Sequence, residues 1–119
     1  MSKSRVILCV GDEATALAVR SQVLSRAGYV VLTASDGAAA LEVFKCIRAD
    51  LIIIMDHGLT GLSGTQVAAE MKRLTPAVPI VLLSGLVEAP LGSEHADLVI
   101  TKGMPATEFL RAVGKLIPQ

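Results

Sequence analysis

A chain of 119 residues with 52% hydrophobic side chains is long enough to bury one core and too short for two, so a single domain over residues 1–119 is expected. Eleven basic and eleven acidic side chains cancel, which argues against the basic footprint of a nucleic-acid binder and against a polybasic membrane anchor. Leu51 to Met55, as long as any uninterrupted apolar run in the chain, falls far short of the ~20 residues of a membrane span, and the N-terminus has no signal-peptide pattern; a soluble, cytoplasmic protein with protein or small-ligand partners is expected.

Five short apolar runs alternate with segments of helical period, the pattern of a parallel sheet covered by helices on both faces. The first strand is expected from Arg5 to Val10. A helix follows with Ala16, Val19, Val23 and Ala27 on its apolar stripe, Leu17 and Leu24 widening it and Gly28 stopping it. The second strand runs from Tyr29 to Thr33, and Ala40, Phe44 and Ile47, with Leu41, mark the second helix. The third strand is Leu51 to Met55. Val67, Met71 and Leu74 mark the third helix, which ends before Pro76. The fourth strand is Val78 to Leu83. Pro90 and Gly92 leave room for only a shortened fourth helix before the fifth strand, Leu98 to Thr101. Pro105 opens the last helix in a first-turn position, with Phe109, Leu110, Val113 and Ile117 along it. All strands but the second are read as apolar throughout, which predicts burial on both faces. The fold class is α/β, a doubly wound five-stranded parallel sheet in (βα)5 order. No linker, repeat or output domain is seen, and the ends at Met1 and Gln119 suit a complete small protein.

Cys9 and Cys46 form no CxxC pair, and neither His57 nor His95 has a metal-ligand partner at helical spacing. Both thiols are expected to be small buried hydrophobes in a reducing compartment.

In an open parallel sheet, ligands bind beyond the carboxyl ends of the strands, where strand order reverses. The first strand runs into Gly11, Asp12 and Glu13, the third into Asp56, His57 and Gly58, the fourth into Ser84, and the fifth into Lys102. Singly, each has a plain structural role available: Asp12 or Glu13 as a cap for the first helix, Asp56 in a turn, Ser84 as a cap, Lys102 as a solvated charge. Together, two acidic clusters, a hydroxyl and an ammonium at one rim fit a different purpose. Crowded carboxylates favour a hard cation with oxygen ligands, and Mg²⁺ suits a site shared with phosphate. One carboxylate then attacks phosphorus to form an acyl phosphate. A lysine and a small hydroxyl face the phosphoryl oxygens.

These residues resemble the response-regulator receiver family of bacterial two-component systems over essentially the whole chain. The stretch from Asp56 to Gly64, D-H-G-L-T-G-L-S-G, is similar to the family's acceptor aspartate and the loop after it; the V-P-I-V-L-L-S and I-T-K runs resemble its fourth and fifth strand ends. The resemblance implies a flavodoxin-like receiver fold, Asp56 as phosphoryl acceptor, Asp12, Asp56 and the Gly58 carbonyl as Mg²⁺ ligands, Ser84 as switch hydroxyl and Lys102 as phosphate-facing lysine. It implies a sensor histidine kinase or phosphotransfer protein as donor and a downstream protein as target. The chain departs from the family at functional places. Gly11 replaces the first of two adjacent acids, which weakens metal affinity unless Glu13 compensates, and Glu13 is expected to point along the first helical turn instead. Thr60 and Gly103 stand where prolines are usual, and Val99 stands where an aromatic usually swings with the switch hydroxyl.

Three functions follow: a phosphorylation-dependent switch that is an enzyme only toward itself; a degenerate receiver that binds its partner irrespective of phosphorylation; and a site for a small phosphorylated ligand such as a flavin nucleotide. The third lacks aromatic surface for a flavin ring and has no GxGxxG run.

Overall fold

The computed structural model describes residues 4–55, 62–84, 95–101 and 103–117. In chain order the elements are β1 (Val6–Val10), α1 (Ala14–Arg26), β2 (Val30–Ala34), α2 (Gly37–Cys46), β3 (Leu51–Ile54), α3 (Gly64–Leu74), β4 (Ile80–Ser84), β5 (Leu98–Thr101) and α4 (Ala106–Leu116). The five strands form one sheet in the order β2-β1-β3-β4-β5, and every neighbouring pair is parallel. Strand order reverses between β1 and β3. The expected fourth helix, with Pro90 and Gly92, lies outside the described residues.

Alternation along the strands sorts side chains into two cores. Leu8, Val10, Ile52, Ile54, Ile80 and Leu82 pack with Phe44 of α2 and Met71 of α3. Their sequence neighbours Ile7, Cys9, Ile53, Met55, Val81 and Leu83 pack with Leu24 of α1 and Phe109 of α4. β1, β3 and β4 are buried along nearly their whole length. β5 departs from the expected burial on both faces: Leu98 and Val99 are half-buried and Thr101 is exposed, because β5 is an edge strand with one neighbour. Strand boundaries shift by one or two residues, β2 beginning at Val30 and β4 at Ile80 rather than Val78.

Local chemistry ends the helices where it should. Gly28 has φ +103°, and the Tyr29 and Gly28 amides donate to the Leu24 and Ser25 carbonyls, a Schellman closure for α1. The α1 stripe follows the expected one in part: Leu17 and Leu24 are buried and Ala16 and Val23 pack partly buried on the same core, while Val19 is 55% exposed and Ala27 is exposed. Asp36 caps α2, accepting from the Ala39 amide, and Ser63 with Gln66 forms a reciprocal capping box at α3. Pro105 is the N-cap of α4 rather than its first-turn residue. Cys9 is buried, but Cys46, in the last turn of α2, is exposed, contrary to the expectation for both thiols.

Two aspartates fasten the strand beginnings. Asp50 accepts from the Val6 amide at 2.8 Å while its own amide donates to the Val6 carbonyl. Asp97 repeats the arrangement with Ile80 and also accepts from Lys72 Nζ at 2.8 Å.

Candidate functional site

The site is built from the ends of four adjacent parallel strands. Val10 is level with Ile54, Ile54 with Leu82, and Ser84 with Thr101. The ends of β1 and β4 therefore lie two strand spacings apart, about 10 Å, with the end of β3 between them. The backbone ties this rim together. The Met55 amide, directly before Asp56 in sequence, donates to the Val10 carbonyl at 2.7 Å, and the Gly11 amide donates to the Ala34 carbonyl at 3.0 Å.

Of the expected site residues, Asp12 and Ser84 are described and stand at this rim. Asp12 is exposed just beyond β1. Ser84 is the last residue of β4 and is 3% exposed, so its side chain is buried at the carboxyl end of the strand. Asp56, Gly58 and Lys102 lie outside the described residues, as do Thr60 and the stretch 85–94. In sequence, Asp56 directly follows Met55, one residue past β3, and Lys102 directly follows Thr101, the last residue of β5.

Glu13 has a definite employment. Its Oε2 accepts from the Ala16 amide at 2.7 Å and its Oε1 from the Thr15 amide at 3.3 Å. Both carboxylate oxygens therefore serve the N-terminus of α1, whose first amides have no intrahelical partner. Gly11 is buried and brings no side-chain oxygen. The described residues thus offer a divalent cation one hard oxygen ligand at the rim, Asp12, and among them no group of three or more acidic, histidine or cysteine side chains is placed to hold a metal. A single exposed carboxylate at the end of β1 suits a cation that keeps several waters, as Mg²⁺ does.

Beneath the rim on the α1 side lies a cavity of about 280 Å³ lined by Ala16, Val19, Arg20, Met55 and Leu83. The Arg20 guanidinium sits 4.6 Å from the centroid of the Phe109 ring, a cation–π contact joining α1 to α4. Burial pushes the thiol of nearby Cys9 up to about 12, with Arg20 opposing the rise, so that thiol stays protonated and inert. The sequence reading missed Arg20; its signal was an arginine placed among the apolar positions of α1. A larger groove, about 530 Å³, runs between β5 and α4 past Leu98, Ile100, Met104 and Ala112 and includes none of the expected site residues.

A parallel sheet in this order, with an acid at the end of β1 and a buried hydroxyl at the end of β4 around its reversal point, defines a doubly wound α/β protein of the flavodoxin-like class. The family model for the response regulator receiver domain matches residues 7–113, and the chain belongs to that family of signalling switches. It is 35% identical over 107 residues to the alkaline phosphatase synthesis transcriptional regulatory protein PhoP of Bacillus subtilis, covering 90% of this chain and 42% of that protein. It is 36% identical over 84 residues to the autoinducer 1 sensor kinase/phosphatase LuxN of Vibrio campbellii, covering 71% of this chain and 10% of that one. The chain thus spans less than half the length of these curated relatives. Among solved structures, the response regulator TrrA of Thermotoga maritima in complex with Mg²⁺-BeF is similar at TM-score 0.89 and 30% identity, over 95% of this chain and 99% of that one. TrrA also has a structure in complex with the histidine kinase ThkA, which is similar at TM-score 0.88 and 30% identity over 96% and 99% of the two chains. No helix among the described residues is long and apolar enough to cross a membrane.

Proposed function

We propose that this chain is a single receiver domain, working in the cytoplasm, that accepts a phosphoryl group on Asp56 from a sensor histidine kinase or phosphotransfer protein and thereby alters its binding to a protein target. The observation that carries this reading is the strand order, which sets the ends of β1, β3, β4 and β5 side by side so that the residues following them in sequence come from one rim. A carboxylate oxygen of Asp56 attacks the phosphorus of a phosphohistidine, the P–N bond breaks, and the imidazole leaves with a proton. The resulting acyl phosphate is later hydrolysed by water to inorganic phosphate and the free carboxylate. Asp12, Asp56 and the Gly58 carbonyl would hold Mg²⁺, which when bound screens the charge between nucleophile and phosphoryl oxygens. Ser84 supplies a hydroxyl donor and Lys102 an ammonium to those oxygens. The exposed Val19 of α1, with the half-buried Ala16 beside it, borders the cavity over Met55 and Leu83 and supports a partner surface on this side of the sheet. The kinase complex formed by TrrA is consistent with such a donor. The chain turns over no separate substrate in this scheme.

The test is intact mass after incubation with a small acyl-phosphate donor, with and without Mg²⁺. A Mg²⁺-dependent gain of one phosphoryl group, absent in Asp56→Asn, is expected; a gain that persists in the variant overturns the assignment.

A second reading, a receiver that binds its partner irrespective of phosphorylation, is favoured by one observation: Gly11 has no carboxylate and Glu13 commits both of its oxygens to the helix cap. On that reading millimolar Mg²⁺ leaves the melting temperature unchanged and no phosphoryl group is gained.

A further inference from the structure

The junction between β2 and α2 contacts two segments that adjoin the expected site residues in sequence. On one side, the Ala34 carbonyl accepts from the amide of Gly11 at 3.0 Å, the residue directly before Asp12. On the other, Gly37, the first residue of α2, is buried against Leu62 and Val67. A Cβ built on Gly37 would stand 2.9 Å from the Leu62 Cβ and 2.8 Å from Val67 Cγ2, so only the absence of a side chain allows the contact. Leu62 lies just after the stretch 56–61 that carries Asp56, and it leads directly into Ser63, the cap of α3.

Neither contact has slack. The Leu62 Cβ is fixed to its backbone, and Val67 is fully buried with a branched side chain that is stiff at χ1. The start of α2 is equally firm, since the Asp36 side chain accepts from the Ala39 amide at 2.7 Å and its carbonyl accepts from Ala40. Packed interfaces of this kind do not deform continuously; a shift on one side is passed to the other. α2 also packs on α3 on the same face of the sheet, where Ala40 and Phe44 join Val67 and Met71 in one core.

We propose that the β2–α2 junction, residues 34–37, reads the state of the site, so that loading the site displaces α2. This rests on the phosphoryl-acceptor reading of Asp56. The segment following the acceptor cannot move at Leu62 without moving Gly37, and the residue before Asp12 cannot move without pulling on Ala34. α2 is then the element whose position differs between the two states of the switch. The other half of the sheet, β5 with α4, makes neither contact.

Two measurements decide it. In the first, amide resonances of the wild type are followed as Mg²⁺ and beryllium fluoride, a phosphoryl analogue, are added. Residues 38–41 are expected to shift more than residues 111–115. Shifts at Asp12 and Ser84 with none at residues 38–41 overturn the proposal and leave the acceptor reading standing, whereas no shift anywhere overturns both. The second needs no ligand: in Leu62→Gly, which removes the Cβ that meets Gly37, hydrogen exchange at residues 39–41 is expected to quicken about tenfold while α4 keeps its protection. Unchanged exchange in α2, or equal acceleration in α4, overturns the coupling. Leu62→Ala, which keeps the Cβ contact, should behave as wild type.

Discussion

Replacing Asp97 by alanine removes more than a surface charge. One carboxylate oxygen accepts from both the Ile80 amide, at 2.7 Å, and Lys72 Nζ, at 2.8 Å, joining the start of β4 to the end of α3. The Lys72 pair is partly exposed, at 21% and 38% for the two side chains, and contributes no more than about 1 kcal/mol. The amide bond matters more. Ile80 is fully buried, and stranding its N–H costs about 1–3 kcal/mol. Together, Asp97→Ala is expected to lose about 2–3 kcal/mol, or roughly 8–12 °C in melting temperature for a chain of this length. Burial pushes the Asp97 carboxyl up, but the bonds from Lys72 and the Ile80 amide outweigh it and hold the group below its usual 3.8. A carboxyl depressed in the folded state stabilises fully above its unfolded value and loses that contribution as pH falls through the folded one. The difference between wild type and variant should therefore be level from pH 7 to about 5 and narrow below about 4. Urea unfolding at each pH, read as the midpoint at constant m-value, measures it. Asp97→Asn, which keeps an acceptor for the amide, should lose about half as much. A variant within about 0.5 kcal/mol of wild type at pH 7, or a difference that stays constant down to pH 3, would refute the reasoning.

Glu13→Ala should cost about 1 kcal/mol by uncapping α1 yet leave the Mg²⁺ midpoint in a fluorescence or NMR titration unchanged; a weakened midpoint would make Glu13 a ligand. Gly28→Ala, placing a side chain at φ +103°, should lose about 1 kcal/mol in thermal unfolding, and no loss would show that α1 ends differently. A thiol reagent at pH 8 should modify one cysteine rapidly, the exposed Cys46, and reach Cys9 only on unfolding, since burial holds its thiol at about 12; two fast equivalents counted by mass would contradict that.

Where the local pattern alone decides an element, the sequence was a good guide. Gly28 stopping α1 and Pro76 following α3 are backbone rules that operate within a turn of chain, and both hold. The S-x-x-Q signal of Ser63 and Gln66 was equally local, but that stretch was read only through its family likeness. The edges of the α1 stripe were misread for a tertiary reason. With apolar residues at 16, 17, 19, 23 and 24, more than one face satisfies the helical period, and packing on the sheet buries Leu17 and Leu24 and leaves Val19 exposed. β5 was taken as buried on both faces because an apolar run looks the same at the centre of a sheet as at its edge; strand order is not a property of the run. At the site, residue types at strand ends pointed to Asp12 and Ser84. The use of Glu13 as a cap agrees with the expectation that it follows the first helical turn. Arg20 could not be read as the partner of Phe109, since 89 positions separate them and only the fold brings them together.

The sheet is a partition, and β3 shows what that means for combined changes. Ile52 and Ile54 face the α2–α3 core, while Ile53 and Met55, their immediate neighbours in sequence, face the α1–α4 core. Two truncations on the same side share a cavity and its relaxation, so their costs should not add. Truncations of adjacent residues fall on opposite sides and should come closer to adding. In this chain, energetic independence runs between next-door residues, and coupling skips every second one.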